Sequence, residues 1–273
     1  MNLLNILDEI EKVDSDVYER LSPRRRAMKS FFNMGSKIAL ASVPLAMGSM
    51  FKKAYGQSPS KILEVLNFAL TLEHLEYKFY EQGCAKVNIP AGCDKDSINT
   101  IRMDELHHVA FLEGVITSLG GTPVKQGKYD FTAKGTFPDV FSNYVTFLAV
   151  AQAFEDTGVR AYKGQAGNLI ESNEVLTAAL QIHSVEARHA AHIRGMRKKL
   201  NYADVKPWIT GKESGIGAPA QPSYNGEEID TQAGIMITNI NGQDVPYEAA
   251  TESFDEPLTK EQVVAIVTPF FAV

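Results

Sequence analysis

Apolar positions recur every three or four residues through four long stretches of the chain, the period of an α-helix with one buried face. The first stripe is Ile62, Leu66, Ala69, Glu73, Glu76, Tyr80. It opens on Ser58–Pro59, a cap followed by a residue suited to the first helical position, and Gly83 predicts its end. The second begins near Asp96 or Ser97, runs through Ile98, Ile101, Glu105, His108, Leu112, Val115 and Leu119, and ends at Gly120–Gly121. The third runs from about Pro138 to Lys163, with Phe141, Val145, Leu148, Gln152, Glu155, Val159 and Tyr162 on its inner face. The fourth starts near Ser172 and presents Leu176, Ala179, Ile182, Glu186, His189, Ile193, Met196 and Leu200, with Arg197, Lys198 and Lys199 at the negative end of its dipole. The segment 121–137 is long for a helix–helix connection and predicts a crossover along the outside of a bundle. The fold class expected is therefore all-α, an antiparallel four-helix bundle over residues 57–201.

The texture changes beyond residue 201. "SGIGAPAQPSYNGEE" is rich in proline and glycine and reads as loop. "GIMITNINGQDV" predicts a short strand, an Asn-Gly turn and a partner strand, and Thr259 with Gln262 forms a capping box before a short helix. Residues 202–273 are expected to pack on the bundle as an extension.

Residues 1–56 differ again. No acidic residue lies between Glu19 and Glu64, whereas Arg24, Arg25, Arg26, Lys29 and Lys37 precede the apolar run Ile38–Phe51. That run is short of the ~20 residues a bilayer span needs. A basic segment, a short apolar run and a small-residue end describe an export signal, and "RRRAMK" at 24–29 resembles the twin-arginine motif. Two readings stand: export to the periplasm or cell envelope, or a basic amphipathic helix that stays attached. The net charge of −6 argues against a general nucleic-acid surface. Cys84 and Cys93 flank the loop between the first two helices; they pair in an oxidising compartment or stay free thiols.

Each buried stripe carries a carboxylate at its middle: Glu73, Glu105, Glu155 and Glu186. Four ionised carboxylates in a dry interior repel one another and lose their hydration, so they need partners. Two divalent cations neutralise them. His108 and His189 follow Glu105 and Glu186 by three residues, which puts each pair on one helical face. The unit repeats: a helix with Glu, then a helix with Glu-x-x-His, with Tyr80 and Tyr162 each seven residues after the first Glu of its unit.

Glu…Glu-x-x-His…Glu…Glu-x-x-His resembles the ferritin-like di-iron and di-manganese carboxylate proteins over residues 58–200. "LEHLEYKFY", "DELHHVAFL", "FEDTGVRAYKG", "VEARHAAHIR" and the distal "FDEPLTKEQVVAIVTPF" are similar to the ferritin-like domain family that includes plant desiccation-related proteins. The resemblance implies two metal ions, iron or manganese ahead of zinc. Glu73, Glu105 and His108 would serve one metal and Glu155, Glu186 and His189 the other, with Glu105 and Glu186 bridging. It implies an oxidoreductase acting on peroxide, dioxygen or Fe(II) in stress protection; a non-catalytic envelope or stress protein with structural metals is the alternative. It leaves self-association open, and a storage cage ranks last.

Around that set, Tyr80 and Tyr162 either hydrogen-bond ligand carboxylates, as their symmetry favours, or are core aromatics. His183 is a candidate to orient Glu186. His107 is expected at the surface or behind a ligand, and His192 at the bundle's end; Glu76, near the Glu73 face, is expected at a solvated edge, with an extra or entry-site carboxylate as the alternative.

Overall fold

The computed structural model describes residues 59–272. The basic N-terminal stretch and the expected cap at Ser58 lie outside them. Four long helices dominate: α1 Pro59–Lys86, α2 Cys93–Ser118, α3 Tyr144–Ala166 and α4 Asn173–Lys199. The loop 87–92 folds α1 back on α2, and a 3-10 turn, Gly167–Leu169, folds α3 back on α4. The two hairpins pack face to face, α1 against α3 and α2 against α4. The chain is all-α in class, a ferritin-like bundle, and among the described residues no helix is long and apolar enough to cross a membrane.

The helix ends follow local chemistry. Gly120 is left-handed at φ 80° after α2, and the amides of Gly120 and Gly121 close on Thr117 O and Ile116 O. Asn201 does the same after α4 at φ 58°, with the amides of Asn201 and Tyr202 on Lys198 O and Arg197 O. Both are paired closures that satisfy the last carbonyls of a helix.

Three expected ends are corrected. Helix α1 runs through Gly83 to Lys86, because the missing Cβ serves packing: a Cβ there would lie 2.2 Å from Phe147 Cε2. Helix α2 starts at Cys93, three residues early, after Gly92 at φ 92°. Helix α3 starts at Tyr144 and not at Pro138, since the Asn143 side chain caps it by accepting from the Val145 amide, while 138–142 form turns on Asp139. Phe141 therefore precedes the helix, and Val145 is exposed.

The crossover 119–143 runs along the outside of the bundle. The Val124 amide donates to Asn67 Oδ1 at 2.7 Å, and Phe131 sinks into an aromatic cluster with Phe79 and Phe154. Phe79 stacks on Phe147 with ring centres 4.9 Å apart. Such aromatic pairs add about 0.5–1.5 kcal/mol beyond the burial of their area. Cys84 and Cys93 are free thiols.

Residues beyond 201 form two small hairpins, β1 Thr231–Gln232 with β2 Ile235–Met236 and β3 Asn239–Ile240 with β4 Gln243–Asp244, then α5 Tyr247–Thr251 and α6 Lys260–Val267. The expected single strand pair is thus two, and Asn241–Gly242 turns the second with both residues at positive φ. The Thr259–Gln262 capping box is present. This extension is bolted to α3 and α4 by buried polar contacts. Arg160 donates to Ser223 O, Asn225 O and Glu256 O and pairs with Glu227 at 2.8 Å. Arg194 forks onto Asp156, which also accepts from Tyr224. Arg197, at the end of α4, is buried and holds Gln152 Oε1 and Gly215 O. Buried arginines persist where every donor finds an acceptor, and here most do.

Candidate metal centre

Glu73, Glu105, Glu155 and Glu186 reach mid-bundle from α1, α2, α3 and α4, and each is fully buried. The register is set by the hairpins, since both loops place the paired glutamates opposite one another. His108 and His189 turn their Nδ1 atoms inward. His108 Nδ1 lies 3.1 Å from Glu73 Oε2, 3.1 Å from Glu105 Oε2 and 3.3 Å from Glu186 Oε1. His189 Nδ1 lies 2.8 Å from Glu105 Oε1 and 3.4 Å from Glu155 Oε2.

Close approach is not the same as satisfaction. Glu105 Oε1, Glu155 Oε2, both oxygens of Glu186 and His189 Nδ1 are buried without a hydrogen bond. Their lone pairs converge on shared space between them. Two groups result, each with donor atoms within 4.8 Å of one another: Glu73, Glu105, His108 and Glu186; and Glu105, Glu155, Glu186 and His189. Either could hold a metal ion, and Glu105 and Glu186 belong to both. Orphaned buried acceptors of this kind are costly, and a cation between them removes the cost.

The electrostatics agree. Burial, then repulsion from Glu105 and Glu73, pushes Glu186 well above the usual carboxylate range. Burial pushes Glu105 up to about 7, against the pull of His108 and His189. Burial also works against Glu73, but His108 outweighs it and leaves that carboxyl lowered. For His189 the nearby Glu155 and Glu105 overcome burial and push it up to about 12, and His108 is raised likewise by Glu73 and its neighbours.

Tyr80 donates to Glu155 Oε1 at 2.5 Å, and Tyr162 donates to Glu73. Burial and those carboxylates raise both phenols, which keeps them protonated as donors. Each tyrosine crosses to the glutamate of the other hairpin. His189 also presents Nε2 to Asp104 Oδ2 at 3.1 Å, a carboxylate that fixes the ring from outside.

A profile of the ferritin-like domain matches residues 61–199, about half the chain, and covers all of these side chains. The chain belongs to the ferritin-like domain family. A search of curated proteins returns no match. In this ferritin-like domain, the His183 Nδ1 faces the Val159 carbonyl at 3.0 Å and not a ligand carboxylate. His107 and His192 are exposed.

The structure adds two participants, one of which the sequence offers only as the lesser alternative. Glu76, expected at a solvated edge, is buried, and burial with repulsion from Glu186, Glu155, Glu105 and Glu73 drives it well above the carboxylate range. Gly158 makes room beside it: a Cβ there would lie 2.9 Å from Glu186 Oε2 and 3.2 Å from Glu76 Oε1. The three-residue spacing of Glu76 from Glu73, the same as in Glu-x-x-His, was the available signal. Asp104 carried none, because its partner is on another helix.

Proposed function

We propose that this ferritin-like domain binds two metal ions, iron or manganese, and uses them in redox chemistry on a small oxidant: dioxygen, hydrogen peroxide, or either with Fe(II). Glu73, Glu105 and His108 would hold one ion and Glu155, Glu186 and His189 the other, with Glu105 and Glu186 bridging. The observation that carries this reading is the sharing of those two glutamates by both donor groups, with four carboxylate oxygens among them left without a hydrogen bond. Mixed imidazole and carboxylate donors suit iron and manganese.

The chain's own groups then have distinct tasks. Tyr80 and Tyr162 hold the outer oxygens of Glu155 and Glu73, leaving their partners free to point inward. Asp104 orients His189. The bundle buries the cluster, and Glu76 lies beside Glu186 as a fifth buried carboxyl. Two bound metals supply two electrons, enough to reduce dioxygen with two protons to hydrogen peroxide, or hydrogen peroxide with two protons to two waters.

The test is metal analysis of protein purified without chelators, followed by turnover of peroxide and of Fe(II) with dioxygen. Two metals per chain are expected, and Glu186→Ala with His189→Ala is expected to lose at least one. Retention of both refutes the ligand set. The complete burial of the four glutamates favours one second reading, in which the metals only staple the bundle; saturated sites without turnover would establish it.

A further inference from the structure

A narrow apolar cavity lies inside the bundle directly beyond the cluster. Ala69 on α1, Leu112 on α2 and Ile182 on α4 line its inner end. They stand four residues from Glu73, His108 and Glu186, so each is one helical turn, about 5.4 Å, from that residue. Tyr162 closes the same end with its hydroxyl already given to Glu73. Phe111 on α2 and Ala179 on α4, also in its lining, are only half-buried.

Size and lining together select the occupant. The free volume of about 20 Å³ is close to what one water-sized molecule needs. An ordered water needs two to four polar partners, and apolar cavities stay dry and take apolar guests. Here the lining is aliphatic or aromatic, apart from Gln165 and the committed Tyr162. An alkyl chain or a ring is too large. Hydrogen peroxide brings two hydroxyls that would be buried without partners, and a hydrated Fe(II) ion is worse on both counts.

We propose that this cavity admits and holds dioxygen one helical turn from the cluster, and so favours dioxygen over hydrogen peroxide as the oxidant. The proposal rests on the reading of the cluster as a metal centre.

The test begins with crystals of the full chain, free of metal, pressurised with xenon. A xenon atom is expected between Leu112, Tyr162 and Ala179, and Ala179→Leu is expected to lose it. An empty cavity, an ordered water or an alkyl chain there overturns the proposal, and this arm needs no variant to fold. The second arm mixes Fe(II)-loaded protein with dioxygen or with hydrogen peroxide. Relative to the parent, Ala179→Leu is expected to lower the ratio of the two oxidation rates, dioxygen over peroxide. An unchanged ratio overturns the dioxygen assignment even where xenon binds. Protein that binds metal but no xenon sinks the cavity proposal alone; protein that binds xenon but no metal sinks the dioxygen assignment and the metal reading together.

Discussion

Adding metal to the metal-free protein should expel protons, and the structure sets how many. At pH 7, His108 and His189 are both raised above the neutral range and each carries a proton. Glu186 is driven up in the same direction by burial and its glutamate neighbours. Glu105, pushed up to about 7, is half protonated. Metal needs all four deprotonated, so two metals should release at least two protons per chain at pH 7. Calorimetric titration in two buffers of different ionisation enthalpy measures this number directly. Release of fewer than one proton would show that the imidazoles and carboxylates are not the ligands.

The same shifts fix the sign of the pH dependence. Glu105 has a folded pKa above its unfolded 4.5, so its contribution to metal-free stability is present below about 4.5 and is lost as pH rises through about 7. The difference corresponds to about 3 kcal/mol. His189 follows from 6.5 towards about 12. The metal-free bundle therefore weakens as pH rises from about 5, while metal binding strengthens as protons leave. The gain in Tm on metal loading should be small near pH 5 and large near pH 8, with each tenfold excess of free metal over Kd adding about 1.4 kcal/mol per site. Equal Tm values with and without metal at pH 8 would refute the reasoning.

Asp104→Ala should weaken one of the two metals by about 10–100-fold, as loss of an orienting carboxylate does, with Asp104→Asn recovering part; competition against a chelator reads this. Gly83→Ala should destabilise the fold by about 1–3 kcal/mol, since its methyl meets Phe147 at 2.2 Å, and chemical denaturation reads it. If the basic N-terminal stretch is an export signal, mass spectrometry of protein from its native host should find a chain that begins after the apolar run Ile38–Phe51; an intact Met1–Phe51 on cytoplasmic protein would exclude export.

Much of the centre is written in local spacing. The three-residue step from Glu105 to His108 and from Glu186 to His189 fixes each pair to one helical face whatever surrounds it. The repeat of about thirty residues from Glu73 to Glu105 and from Glu155 to Glu186 fixes their depth once a hairpin forms. Gly120, Asn241–Gly242 and the Thr259–Gln262 box likewise act within a few residues, so their turns and caps were legible. Gly83 misled for the same reason: a glycine inside a helix looks like a stop until the ring that needs its space is known.

What no stretch of sequence contains is the identity of the neighbour across a helix interface. Tyr80 shares α1 with Glu73 yet bonds Glu155, and Tyr162 shares α3 with Glu155 yet bonds Glu73. Asp104 finds His189 across the α2–α4 seam, Glu76 turns inward because Gly158 leaves room, and Arg197 is buried because the chain beyond residue 201 returns to cover it. Helical periodicity assigns a residue to a face; what that face meets is decided by how separate helices pack, through contacts dozens of residues apart that only the folded chain brings together.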